Sequence, residues 1–357
     1  MSGEVSGMKD SLGRTIDYLR ISITDRCNLR CKYCMPHGVE SVPRWDILSL
    51  EEIEAVAVCA AGLGIRHIKI TGGEPLVRRD CCQLVARLKA IPGMEKVTIT
   101  TNGILLDRYL DSLMEAGIDG INISLDTLDR ETYRQITGQD GLQDVLAVLE
   151  RASSLPVPVK VNAVSLEPGW PPIPAVGVAG WRGLAELARE YPVDVRFIEM
   201  MPIGYGKDFK SINHEELLEQ MRGTYPGMEE DTRAHGFGPA VYYRIPGFKG
   251  SVGLISAIHG KFCDGCNRVR LTSQGYLKTC LCYEDGVDLR GILRDGVERP
   301  LEDIHYHWAS EAGPEDAALQ ERLRQAMSRA ILNKPSAHCF ERPDQITEAH
   351  NMISIGG

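Results

Sequence analysis

No run of about 18 apolar residues occurs anywhere in the chain, so the sequence offers no candidate transmembrane helix. The first ten residues, MSGEVSGMKD, lack the basic and apolar regions of a secretory signal and read as a short disordered tail. Basic residues are the minority charge: 40 Lys and Arg stand against 49 Asp and Glu, a net charge of −9. With no global positive field, general nucleic-acid binding is excluded, and an anionic substrate must be gripped by local basic residues. A disulfide framework is also missing. The 11 Cys are odd in number and gathered into groups, which points to metal ligation in a reducing, cytoplasmic compartment.

What is present is ordinary for a globular protein of more than one domain: 357 residues, 43% apolar and 25% charged. Between residues 18 and 199, short β-like runs alternate with segments of helical period. The strand candidates are residues 18–24, 67–71, 97–100, 120–125, 157–162 and 195–199. Helical segments include 49–63, 81–90, 107–116 and 141–152. Strand–helix alternation implies βαβ units and a parallel sheet, and these units suit an incomplete (βα)6 barrel of the TIM type. Active sites in such folds sit at the C-terminal ends of the strands. The expected organisation is a tail at 1–17, a partial barrel at 18–205 and a C-terminal domain at 206–357. Residues 166–178, rich in Pro, read as a surface loop. A helix is expected near 213–222, and two amphipathic helices over 300–333.

The chain is organised around Cys27, Cys31 and Cys34, spaced C-x3-C-x2-C just after the first strand. Three thiols are one fewer than an iron–sulfur cluster usually takes, which leaves one iron open to a ligand that is not protein. A zinc loop with a distant fourth ligand, or three packed thiols, are the plainer readings. Strand two runs into Thr71-Gly72-Gly73-Glu74-Pro75, by itself a tight turn whose glycines let backbone approach a ligand. Asn122, Ser124 and Asp126 alternate along strand four and can face a barrel interior. Arg20 and Lys160 lie inside apolar strands: Arg20 as a structural ion pair or a phosphate contact, Lys160 as a snorkelling side chain or a contact to an anionic ligand. Met200 and Met201 read as core filling.

A second set follows after the alternation fades near residue 205: Cys263 and Cys266, then Cys280, with Cys282 beside it. Zinc completed by Cys282 or a His fits this spacing as well as a cluster does. Arg268 and Arg270, at i and i+2 on an extended segment, point the same way and bring two guanidiniums beside the metal, an arrangement suited to a polyphosphate. His214, His305, His307 and His338 are isolated and read as structural or solvent-facing. Cys59, Cys81, Cys82 and Cys339 show no ligand spacing and read as packed.

The Cys-x3-Cys-x-Tyr-Cys signature with the following GGE resembles the radical S-adenosylmethionine (radical SAM) enzymes. The second half, FCxxCNRxRLTxxGxLxxCL with a Gly-Gly end, resembles the GTP 3′,8-cyclase family within them, over residues 18–357. That resemblance implies two [4Fe–4S] clusters, on Cys27, Cys31 and Cys34 and on Cys263, Cys266 and Cys280. The open iron of the first would bind S-adenosylmethionine, and that of the second the guanine of GTP. It implies S-adenosylmethionine contacts at Tyr33, Gly73, Ser124 and Met201. GTP contacts would come from Arg20, Lys69, Thr100, Lys160, Arg268, Val269 and Arg270, and Gly356 and Gly357 would reach into the site. The activity implied is radical conversion of GTP to 3′,8-cyclo-7,8-dihydro-GTP in molybdenum cofactor biosynthesis. A reducing donor such as flavodoxin or ferredoxin would supply electrons, and the product would pass to cyclic pyranopterin monophosphate synthase. The protein would be a monomer or homodimer.

Lys69 and the Pro-rich 166–178 stretch, which replaces a polar, acidic loop, depart from that family. Lys69 stands where Arg is usual and loses the bidentate fork. Cys282 would close the second site if it became a fourth ligand. The competing readings are a radical SAM peptide-modifying maturase with an auxiliary cluster, and a non-catalytic protein with structural zinc or electron-carrier sites. The first gives no role to the Arg pair, and the second none to the GGEP turn, Arg20 or Lys160.

Overall fold

The computed structural model describes residues 7–38, 42–167, 180–295 and 314–355. Most of the Pro-rich segment, His305, His307, Gly356 and Gly357 lie outside the described residues. The strands are β1 (Met8–Lys9), β2 (Thr15–Ile16), β3 (Tyr18–Ser22), β4 (His67–Thr71), β5 (Lys96–Thr101), β6 (Ile121–Ser124) and β7 (Val159–Ser165). They continue with β8 (Asp194–Glu199), β9 (Glu229–Glu230), β10 (Val241–Arg244), β11 (Val252–Ile255), β12 (Arg268–Leu271), β13 (Tyr276–Lys278) and β14 (Gly286–Asp288). The helices that connect the barrel strands are α1 (Leu50–Gly62), α2 (Cys81–Ala90), α3 (Leu106–Glu115), α4 (Arg130–Thr137), α5 (Leu142–Ser153) and α6 (Gly180–Glu190). A helix follows at His214–Thr224, and another at Pro314–Leu332.

The six strands read from the sequence, β3 to β8, pair in order and in parallel. Period-two alternation explains the architecture. Leu19 and Ile21, Ile68 and Ile70, Ile121 and Ile123, and Val195 and Phe197 are buried in one apolar core. The residues between them, Arg20, Lys69, Asn122 and Arg196, must point to the other face. The helices therefore cover an apolar outside, and a polar interior is left. Each buried Leu or Ile contributes about 1.5–3 kcal/mol, so this pattern fixes which face turns inward. Helix α1 starts where the sequence implies, with a capping box: Glu52 N–H donates to Ser49 Oγ at 3.1 Å and Ser49 N–H to Glu52 Oε2 at 2.8 Å.

The structure corrects two expectations. The alternation does not end with β8. β11 adds in parallel to β8, and β12 adds in parallel to β3 on the opposite edge, so hydrogen bonding crosses the expected division at 205/206 on both sides. The short VGLI and RVRL runs gave too little period to be read as strands. The segment read as a disordered tail is ordered from residue 7: β1 pairs with β2, and Ile16 is fully buried. Of the two helices expected over 300–333, the described residues contain Pro314–Leu332, and residues 300–313 lie outside the described residues.

Candidate active site

A cavity of about 290 Å³ opens at the C-terminal ends of the barrel strands. Cys27, Cys31, Tyr33 and Cys34 line it from the loop after β3, Gly72, Gly73 and Glu74 from the turn after β4, and Thr100 and Asn102 from β5. Ser124 and Asp126 follow β6, and Met200 and Met201 follow β8. The two Met expected as core filling are thus wall residues. Arg20 and Arg270 form part of the same wall.

The turn after β4 is built against the Cys loop. Gly73 N–H donates to Thr24 O at 2.7 Å, and Glu74 N–H to Arg26 O at 2.8 Å. A Cβ at Gly73 would run into the Arg26 carbonyl, 2.6 Å from its carbon and 2.9 Å from Asp25 O, so only glycine fits. The buried Glu74 accepts from Thr101 Oγ1 and Asn102 N–H, both at 2.7 Å. Tyr33 Oη donates to Asp126 Oδ2 at 2.6 Å, tying the Cys loop to β6. The three thiols face one another without a nearby dominant cation. Burial pushes Cys34 up to about 12, with Cys27 adding to it. Burial also raises Cys31, helped by Asp126, Cys34 and Cys27. Thiols crowded this way and opening onto one cavity fit a polynuclear cluster that takes one thiolate per iron.

The second set sits in a short turn, Cys263–Gly265, with Cys266 N–H donating to Cys263 O at 3.1 Å and Cys280 just beyond β13. Burial raises Cys280, and Cys266 and Cys263 are near enough to add to it. Cys282 is occupied elsewhere: its Sγ lies 3.2 Å from Cys339 Sγ, and both are buried. Cys339, read only as packed, is the partner that holds Cys282. Among the described residues no three His, Cys, Asp or Glu groups converge as ligands of a single ion. Thiolates on one zinc at 2.3 Å would have to converge closely, whereas a cluster spreads them over separate irons.

The two Cys sets lie at opposite ends of neighbouring strands. Cys266 precedes β12, Cys27 follows β3, and Arg268 is level with Tyr18. From Tyr18 to Ser22 is four steps of about 3.3 Å, so about 13 Å of strand separates the levels. Cations fill that interval. Arg270, Arg20 and Lys69 stand side by side in register. Burial, then Arg196, Arg20, Lys160 and Arg268, drives the Lys69 ammonium well below its ordinary value. Burial, then Arg20 and Arg268, does the same to Arg270. Among the described residues no carboxylate pairs with Lys69. Lys160 is different: it sits 3.3 Å from Asp194 Oδ2 and donates to Tyr242 Oη at 3.0 Å. Thr100 accepts from Asn122 Nδ2 at 3.2 Å. Val269 is fully buried among apolar residues, which confines its part in the site to the main chain.

Sequence reasoning missed Arg196, whose Nε donates to Asn162 Oδ1 at 2.9 Å on the barrel interior. The signal was there, since Arg196 sits in VRFIE as Arg20 does in LRI. It also missed Arg14 and Lys334, which brace the second Cys set from the N-terminal hairpin and the end of the last helix. His214, left open between structural and solvent-facing, is buried and bonded to Ser256 Oγ at 2.9 Å and Ser165 Oγ at 3.0 Å.

Comparison with known proteins agrees with this geometry. Residues 21–168 match the radical SAM superfamily, and residues 193–312 match the family described as Molybdenum Cofactor Synthesis C. Crystal structures of Streptococcus suis SuiB share the fold at 16% identity. The SuiB structure with S-adenosylmethionine has a TM-score of 0.56, covering 95% of this chain and 75% of that one. A partial barrel with an open three-Cys loop at its C-terminal end defines a radical SAM enzyme. Curated proteins named GTP 3′,8-cyclase are similar along nearly the whole length. The one from Clostridium perfringens (strain 13) is 38% identical over 98% of this chain and all of its own, and the one from Moorella thermoacetica 40% over the same shares. That from Heliobacterium modesticaldum is 42% identical over 86% of this chain and 93% of its own. The chain belongs to the GTP 3′,8-cyclase family. Among the described residues no helix is long and apolar enough to cross a membrane.

Proposed function

We propose that the barrel interior holds GTP between two iron–sulfur clusters and closes it to 3′,8-cyclo-7,8-dihydro-GTP, the radical SAM step of molybdenum cofactor biosynthesis that the family's name describes. The observation that carries this reading is the register of Arg270, Arg20 and Lys69, side by side between the two Cys sets. Guanidinium forks and an ammonium aligned in this way match the oxygens of a polyphosphate, and about 13 Å of strand gives a nucleotide room to lie along the barrel.

Cys27, Cys31 and Cys34 would hold the first cluster and Cys263, Cys266 and Cys280 the second. When bound, the first cluster with S-adenosylmethionine supplies the 5′-deoxyadenosyl radical that takes the C3′ hydrogen of the ribose. The chain's own residues bind, orient and exclude water. Tyr33, Gly73, Ser124 and Met201 would contact S-adenosylmethionine at the upper cavity. Arg20, Arg268 and Arg270 would grip phosphate through guanidinium forks, and Lys69 as a point charge. Thr100 and the main chain at Val269 would add contacts. Lys160 would have to share its charge with Asp194. Gly356 and Gly357 continue from Met352 and Ile353, which already line the cavity. Cys282 would stay out of the second cluster through Cys339.

We place the enzyme in the cytoplasm, drawing electrons from a donor such as flavodoxin or ferredoxin and handing its product to cyclic pyranopterin monophosphate synthase, as a monomer or homodimer. A C-terminal domain beginning near residue 206 would carry the second cluster. The peptide-maturase reading is less supported, because it gives the buried cations nothing to bind. The test is an anaerobic assay of reconstituted protein with dithionite, S-adenosylmethionine and GTP, read by mass spectrometry. GTP-dependent 5′-deoxyadenosine with a cyclised product of GTP mass is expected. 5′-Deoxyadenosine formed regardless of GTP would refute the substrate.

A further inference from the structure

Lys334 is 5% exposed, two residues beyond the end of the Pro314–Leu332 helix. Among the described residues its ammonium has no carboxylate partner. Its Nζ donates to Arg268 O at 3.0 Å and to Thr279 O. Those two carbonyls belong to the segments that carry Cys266 and Cys280. Arg268 is two residues beyond Cys266, and Thr279 immediately precedes Cys280. Burying a cation without a counter-charge is strongly disfavoured. Near this one the available anions are the thiolates of the second Cys set.

The placement is built. Lys334 N–H donates to Ile331 O at 3.1 Å, closing the helix end. Arg14, itself held by Asp10 at 2.6 Å, donates to Cys263 O at 2.9 Å, Pro335 O at 2.7 Å and Ser336 O at 3.0 Å. One guanidinium thus clamps the Cys263 turn to the residues after Lys334. Freezing a long side chain costs conformational entropy that a mere surface lysine would not give up.

We propose that the Lys334 ammonium is the charge partner of the second cluster and raises that cluster's reduction potential. Three thiolates on a four-iron core leave a net negative charge, and each added electron makes it more negative. A buried cation bonded to the main chain beside Cys266 and Cys280 favours the reduced form, as hydrogen bonds and charge near cluster sulfurs do generally. Lys334 is a positioning residue, not one that touches GTP, and its role rests on the second cluster being present.

The experiment is a redox titration of the reconstituted holoenzyme, followed by electron paramagnetic resonance, with iron counted in each sample. Lys334→Met should make the second cluster at least about tenfold harder to reduce at a fixed ambient potential, equivalent to about 59 mV for one electron. Lys334→Arg should restore the wild-type position, and the first cluster should not move. Both clusters loaded in Lys334→Met at the wild-type potential would overturn the proposal. If Lys334→Met fails to retain the second cluster, retention is compared in Lys334→Arg and Lys334→Gln. Rescue by Arg alone supports a charge role. Equal rescue by Gln overturns it, because Gln can tether the two carbonyls without charge. Wild-type protein that holds iron for one cluster alone would instead refute the two-cluster reading itself.

Discussion

Gly73→Ala tests the architecture of the S-adenosylmethionine end with a single methyl group. That methyl would start 2.6 Å from the Arg26 carbonyl carbon and 2.9 Å from Asp25 O. Carbon atoms pack at about 3.5–4.0 Å, so the backbone of the Cys27 loop must retreat by about 1 Å. No rotamer can relieve the clash, since the obstacle is main chain, and overpacking of this kind costs about 1–3 kcal/mol. The retreat would also stretch the bonds from Gly73 N–H to Thr24 O and from Glu74 N–H to Arg26 O. A 1 Å displacement of reacting groups costs about 10²-fold in rate. Reconstituted Gly73→Ala should therefore form 5′-deoxyadenosine about a hundredfold more slowly, with a lower denaturation midpoint. Gly62→Ala is the control, because its added methyl meets nothing within 4 Å. A wild-type rate and stability in Gly73→Ala would refute the reasoning.

Arg270→Ala should weaken GTP binding about 10- to 100-fold, the worth of a charged hydrogen bond of about 1.5–3 kcal/mol, and leave S-adenosylmethionine affinity unchanged in anaerobic calorimetry. Lys278→Met removes the partner of Glu348, both fully buried, and should cost about 3–5 kcal/mol in denaturant unfolding, most of it recovered in a Lys278→Met, Glu348→Leu double variant. Burial holds His214 at about 4, against 6.5 unfolded, so between those values the unfolded chain binds more protons. Its stabilisation is full above pH 6.5 and is lost as pH falls toward 4, by up to about 1.4 kcal/mol per unit; His214→Asn should flatten that slope in denaturant midpoints measured from pH 4.5 to 7. Cys282→Ser should keep the iron of both clusters, since Cys282 pairs with Cys339; loss of half the iron would show it to be a ligand.

The strands of the barrel were legible because two periods superpose in them: apolar residues facing the helices, and polar residues facing inward. His67–Thr71 and Cys81–Ala90 match the sequence reading to the residue. The first Cys set was legible because its three ligands sit in one loop, where spacing is geometry. The second was less so. What holds it, Arg14, Lys334 and the Cys339 that occupies Cys282, comes from segments far apart in the chain. Long-range partners leave no local pattern, and a lone Lys after a helix looks like any helix end. β11 and β12 were hidden for a related reason. Four residues are too few for a period to show, and their strand character comes from pairing with β8 and β3.

The same count of thiols at the two ends conceals different electrostatic surroundings, and this difference suits the chemistry. At the first set, burial raises Cys27 and Cys31, with Glu74 and Asp126 adding to it. Negative surroundings and burial make added electrons costly there, as a cluster must have if it is to be a strong reductant. At the second set burial raises Cys280, but Lys334 and Arg268 hold Cys266 down. Those cations continue through Arg270, Arg20 and Lys69 toward the cavity. A GTP polyphosphate drawn into that field cannot settle beside Glu74 and Asp126 without losing its counter-charges. Under the proposed function the gradient would orient the substrate along the barrel: phosphates would stay with the cations, and the uncharged ribose would be the part free to approach the S-adenosylmethionine end. Arg268 takes part on both sides of this division, facing the cations of the barrel and the thiol of Cys266, so the charge that steers the substrate also conditions the second site.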